Sequence, residues 1–172
     1  MFIKRKLEKY LKEHLKESET SLFSKIFESK SSSIGYEEDV FDGETFTKRK
    51  DINFYIESNR EEETFQTKLF QYIDSKNLKD SEVYNKVNID RRLFSKIRSD
   101  KNYHPSKETI ILLGVALELT EEEIEDLLES ASYSLPMNTT YDLIIRFCFK
   151  EKIYNINKIN EFLYDHDCNT LN

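Results

Sequence analysis

Asp80-Ser81-Glu82-Val83-Tyr84-Asn85-Lys86-Val87-Asn88-Ile89-Asp90-Arg91-Arg92-Leu93-Phe94-Ser95-Lys96-Ile97 is the stretch on which the fold of this chain turns. Val83 and Val87 lie four apart, and Leu93, Phe94 and Ile97 fall on one stripe at helical spacing. Asp90 stands directly before the second apolar set, where its carboxylate can accept from the free N–H groups of a first helical turn. Asn88-Ile89 between the sets has room only for a tight turn, and Asn visits the left-handed backbone region more readily than most residues. The stretch predicts two short helices, over residues 81–87 and 90–99, joined as a helix-turn-helix unit.

The same periodicity continues outward on both sides. Upstream, Phe65, Leu69, Phe70 and Ile73 give one face of a helix ending near Asn77. Downstream, Ser106 caps a helix over residues 107–118 whose Ile110, Leu113 and Leu117 align. Thr120-Glu121-Glu122-Glu123 is a capping box, followed by Ile124, Leu127 and Leu128. Beyond Pro136, residues 139–150 and 155–165 supply two more helices. Residues 60–172 are thus expected to be a helical domain able to fold without what precedes it.

Residues 1–59 have another character. Ile3, Leu7, Leu11 and Leu15 recur at spacing four in a basic amphipathic helix over residues 2–17, expected to pack on its own domain or on a partner. Serines then crowd the chain at Ser18, Ser21, Ser24, Ser29, Ser31, Ser32 and Ser33, the mark of a mobile connection. Within it, Leu22, Phe23, Ile26 and Phe27 suit a short helical turn pair. Asp42-Gly43 between Val40-Phe41 and Thr45-Phe46 is a hairpin signal. Ile52-Asn53-Phe54-Tyr55-Ile56 suits a third short strand. A linker that orders only on a partner fits this stretch equally well.

Composition narrows the function classes. With 33 acidic and 26 basic residues the formal charge is −7, which excludes a globally basic nucleic-acid coat protein but not a local basic patch. The three glycines, Gly35, Gly43 and Gly114, are scattered, so no glycine-rich phosphate loop exists and Walker-type and Rossmann enzymes are excluded. No run of about 18 apolar residues is present to span a bilayer. Met1-Phe2-Ile3-Lys4-Arg5-Lys6 leads into no apolar stretch of signal-peptide type. Cys148 and Cys168 form no CxxC pair and read as free thiols of a reducing compartment. A cytoplasmic protein without a membrane role is expected.

The run quoted above resembles the bihelical core of the Cro and phage-repressor (Xre-type) family. Tyr103-His104-Pro105-Ser106-Lys107-Glu108-Thr109 and Leu113-Gly114-Val115-Ala116-Leu117-Glu118-Leu119-Thr120 are similar to that family's Pro-Ser-capped fourth helix and its exit into helix five. The resemblance covers roughly residues 64–130. It implies a repressor-like five-helix core, here with two extra C-terminal helices and a small irregular N-terminal segment, in a mainly α protein. Residues 78–166 also look like a helical module found at the C-terminal ends of some bacterial macrodomain proteins. Three positions depart from the repressor pattern: Asp80 stands where the family usually has Gln, Tyr84 where it favours Ala, and Asn88 where it favours Gly.

The resemblance implies a recognition helix that enters the major groove, its N-terminal side chains reaching bases and flanking groups holding phosphates. Arg91, Arg92, Ser95, Lys96 and Arg98 are the side chains expected to face DNA, with Lys101 and Asn102 in the loop beyond. From Asp80 to Lys107 seven basic residues outnumber four acidic ones, a local surplus inside an acidic chain. Asp80 would repel a phosphate. The run Glu118, Glu121, Glu122, Glu123, Glu125, Asp126 and Glu129 holds no base and is expected at an exposed helix start, facing away from DNA.

Catalytic signals are weak. His14, His104 and His166 are far apart, adjacent side chains in Asp165-His166-Asp167-Cys168 do not readily close on one ion, and no Ser or Cys has an identifiable paired base. No metal or cofactor is expected. The expected function is non-catalytic, sequence-specific binding of double-stranded DNA as a repressor-type regulator, acting as a homodimer or with a protein partner. The alternative is a protein-interaction adaptor built on a helix-turn-helix skeleton.

Overall fold

The computed structural model of the protein describes residues 2–28, 52, 54, 55 and 64–171. Among these residues every regular element is a helix. They are α1 (Phe2–Glu28), α2 (Phe65–Ser75), α3 (Asp80–Lys86), α4 (Arg91–Ser99), α5 (Lys107–Leu117), α6 (Glu121–Glu129), α7 (Thr140–Lys150) and α8 (Ile156–Tyr164). None of the described helices is long and apolar enough to cross a membrane.

Helix α5 is the centre of the packing because it is apolar on every side: all residues from Ile110 to Leu117 are buried. Helices α3 and α6 pack on it, α2 packs on α6, and α7 packs on α6, α8 and α1. Gly114 lets α6 come close, since a Cβ there would lie 2.5 Å from Ile124 Cδ1. Asp90, Ser106 and Thr120 cap their helices as the sequence predicts, accepting from the Arg92, Thr109 and Glu123 N–H groups, and Thr64, Thr139 and Asn155 do the same for Thr67, Asp142 and Lys158.

Helix ends show a common device. Asn77, Asn88, Glu118, Ser132, Lys152 and Asp167 all have φ between 52° and 59°, in the left-handed region, and none is glycine. The next residue in each case (Leu78, Ile89, Leu119, Tyr133, Ile153, Cys168) returns its N–H to a carbonyl five residues back, at 2.8–3.2 Å. These are Schellman endings that turn an apolar side chain onto the helix just finished. A chain with so few glycines makes them with residues that bear the Cβ strain.

The amphipathic N-terminal helix shares this core. Leu7, Tyr10 and Leu11 are buried, with the Tyr10 ring 5.4 Å from that of Phe147 on α7. Lys4 pairs with Glu161 and Asp165 of the α8 region at 2.7 and 2.8 Å, and Lys6 pairs with Glu151. Residues 60–172 alone would leave the α7 surface under Leu7 and Tyr10 open to water.

Two expectations for the N-terminal third are corrected. Helix α1 does not stop near Glu17 and resume as a turn pair; its backbone runs on through the first serines to Glu28. Ile52, Phe54 and Tyr55 are helical, where a strand was expected. β-Branched and aromatic side chains fit a half-buried pleated surface, but that preference is weak against context. The hairpin expected at Val40 to Phe46 and the serines from Ser29 to Ser33 lie outside the described residues.

Candidate nucleic-acid interface

The α3–α4 unit is assembled from local signals. Glu82 reaches back to accept from the Lys79 N–H at 2.7 Å, securing the start of α3. Val83, Val87 and Ile89 are buried, and Asn88 turns the chain at φ 55°. Asp90 then caps α4 by accepting from Arg92 N–H at 2.6 Å. Phe94 and Ile97 enter the core while Leu93 is half-buried. Tyr84 is not an obstacle to this arrangement. Its ring lies 5.6 Å from Phe94, and Phe70 meets the same ring edge-on at 6.3 Å, so three aromatics bind α2, α3 and α4 together.

Burying Phe94 and Ile97 leaves Arg91, Arg92, Ser95, Lys96 and Arg98 exposed on the outer surface of α4, and Lys101 and Asn102 are exposed just beyond it. Spacing divides the helix residues into two rows. Arg91, Ser95 and Arg98 line an open cleft of about 380 Å³ between α4 and the start of α3. Arg92 and Lys96 form the other row, where Lys96 Nζ lies 4.5 Å from the centre of the Tyr103 ring. Lys101 and Asn102 belong to a different depression, shared with Gln66 and His104. Gln66 Nε2 donates to the Asp100 and Tyr103 carbonyls at 3.4 and 3.0 Å, which ties this loop to α2.

The electrostatics depend on where the acids go. Glu82, Asp90 and Asp100 each accept from a backbone N–H (of Lys79, Arg92 and Asn102), so they serve turns and helix starts. Asp80 accepts from Arg98 Nη2 at 2.5 Å, and the Arg98 guanidinium lies 4.0 Å from the centre of the Phe70 ring. Arg98 is therefore held inside the protein's own contacts, unlike Arg91, Arg92 and Lys101, which have no ion-pair partner among the described residues. Sequence reading found the cations. It did not single out Gln66 and gave Phe70 only as part of an apolar helix face; their roles beside the cations come from α2 lying next to α4 and carry no local signal.

The acidic run is less idle than expected. Glu118 pairs with Lys86 at 2.6 Å, and that hydrogen bond holds its carboxyl below the usual carboxylate range. Asp126 accepts from Lys68 at 2.6 Å and from the Tyr72 hydroxyl at 3.0 Å. Arg146 reaches from α7 to Glu121 at 3.1 Å and to Glu125, and donates to the Leu135 carbonyl at 2.9 Å. These acids bind helices together.

Each histidine is spent on a carbonyl. His14 Nδ1, His104 Nε2 and His166 Nδ1 donate to the carbonyls of Tyr10, Ala131 and Phe162 at 2.9, 2.7 and 2.8 Å. Burial pushes the Cys148 thiol up to about 12. Among the described residues no group of three or more His, Cys, Asp or Glu side chains is placed to hold a metal ion. Comparison of the chain with protein-family models, with curated proteins and with solved structures finds no match.

Proposed function

We propose that this protein binds double-stranded DNA through the outer face of α4, as a non-catalytic regulator of repressor type acting as a homodimer. One observation carries the proposal: the leading-turn cations Arg91 and Arg92 are exposed and free of ion pairs among the described residues, while the acids around them are taken up by turns, helix caps and Arg98. Such a surface offers positive charge to phosphate and guanidinium donors to guanine N7 and O6. The likeness of residues 64–130 to Cro and phage repressors supports the same assignment, with α2 to α6 as the five-helix core.

Selection from random duplexes at moderate salt tests this. Wild type is expected to enrich a sequence, and Arg91→Ala and Arg92→Ala are each expected to cost about 1–3 kcal/mol and relax preference at one base pair. Lys101→Ala is expected to weaken all sequences alike and to flatten the salt dependence by about one unit of slope. No enrichment, with binding indifferent to Arg91 and Arg92, would replace the proposal with a protein-interaction adaptor. The internal pairing of Arg98 with Asp80 favours that second reading.

A further inference from the structure

We infer that Asp80 is a built-in competitor for DNA phosphate, holding the Arg98 guanidinium until a phosphate takes its place. This rests on DNA binding by α4 as proposed above and names what limits its strength. Asp80 and Arg98 meet at 2.5 Å on the wall of the cleft between α3 and α4, which also presents Lys79, Ser81, Arg91 and Ser95. The cleft is rich in donors, and the Asp80 carboxylate is the acid that lines it. The pair is open to solvent, with side chains 35% and 49% exposed, so an external anion can reach it.

Chemistry makes the exchange conservative. A carboxylate and a phosphate both accept from a guanidinium through paired N–H groups, so one can replace the other with little rearrangement. Arg98 is stacked on Phe70 at 4.0 Å, which positions the guanidinium independently of Asp80. The exchange changes the partner and leaves the donor in place. Glu82 and Asp90, the neighbouring acids, are occupied by backbone N–H groups and do not compete in this way. A duplex that engages Arg98 must first displace Asp80, and the displaced carboxylate then sits beside the phosphate chain. Backbone binding of every sequence is weakened alike.

The test uses the full chain, random-sequence duplex DNA and fluorescence anisotropy over a series of salt concentrations. Asp80→Asn is expected to bind about five- to tenfold tighter near 0.1 M salt, with a slope steeper by about one unit, because no carboxylate is set free to take up a cation when Arg98 releases one from the DNA. Asp80→Ser is measured in parallel and is expected to agree. Most of this gain is expected to vanish in the Arg98→Ala background. A gain of equal size with and without Arg98 would overturn the inference, because the carboxylate would then act by simple repulsion. So would an unchanged affinity and slope in Asp80→Asn while wild-type binding still depends on Arg91 and Arg92. No binding by wild type or by either Asp80 variant would overturn the DNA proposal itself. A role of Asp80 in stability alone would move the melting temperature and leave the salt slope where it was.

Discussion

Lys107 Nζ and Asp142 Oδ1 meet at 2.6 Å between the first turn of α5 and the first turn of α7, and Asp142, only 4% exposed, is the one charged side chain in the described core. The other carboxylate oxygen accepts from the Thr139 hydroxyl at 2.7 Å, while the Asp142 N–H donates back to that hydroxyl oxygen at 3.1 Å. The pair and the cap thus form one polar joint among apolar helices. Lys107→Met would leave the carboxylate buried with only its neutral partner, and is expected to cost about 2–4 kcal/mol in urea unfolding. Lys107→Met combined with Asp142→Asn should cost less than the sum of the two single changes, which a double-mutant cycle would measure.

Gly114 has no room for a methyl group. A Cβ would stand 2.5 Å from Ile124 Cδ1 and 3.2 Å from Phe149 Cζ, and both neighbours are buried. Gly114→Ala is expected to destabilise by about 1–3 kcal/mol, although alanine is the better helix former. The urea midpoint of the variant checks this. An increase in stability would mean that α5 and α6 are more loosely packed.

Lys152 ends α7 in the left-handed region at φ 55° and is exposed. A β-carbon is unfavourable there, and glycine removes the strain at some cost in unfolded-chain entropy. Lys152→Gly is expected to raise stability by about 0.5–1 kcal/mol. Thermal melting would show it directly.

Asp126 gives a pH signature. The hydrogen bond from Lys68, with that from Tyr72, holds its carboxyl below its ordinary value of 3.8, against the smaller opposing effect of burial. A depressed folded pKa contributes stability that is fully present above the unfolded value and is lost as pH falls through the folded one. Asp126→Asn should therefore be less stable than wild type near neutrality. The gap should narrow as pH drops toward and below 3.8. A series of urea midpoints at decreasing pH measures it, and a gap that stays constant in acid would contradict the assignment.

Phe94 tests the joint of three helices. It is 2% exposed and contacts Tyr84 and Phe70 from α3 and α2. Phe94→Ala is expected to cost about 3–5 kcal/mol in equilibrium unfolding. A cost below about 1 kcal/mol would place the ring outside the core.

Much of the helical framework was legible because its signals are local. Asp90, Ser106 and Thr120 announce helix starts through bonds that reach two or three residues, and the stripes of Phe94 with Ile97 and of Ile124 with Leu127 follow from helical geometry. Helix ends such as Ser99, Leu117 and Lys150 also fall within a residue of their expected places, though without the usual marker. Left-handed Asn, Glu, Ser, Lys and Asp residues do the work that glycine usually advertises. The strand expected around Phe54 failed for the opposite reason, since side-chain preference there had no cap or period behind it.

By itself the sequence determined that the chain is mainly helical, that a tight turn at Asn88 joins two short helices, and that the second carries exposed cations at its leading turn. Each of these depends on residues within about one turn of one another. Tertiary structure decided the partners. Asp80 meets Arg98 across 18 positions, Gln66 reaches the Tyr103 carbonyl across 37, and Lys68 finds Asp126 across 58. No local pattern encodes such meetings, because they arise only when buried faces such as that of α5 bring distant helices together. Whether a charge at the surface is free for a ligand or already engaged is settled by that packing.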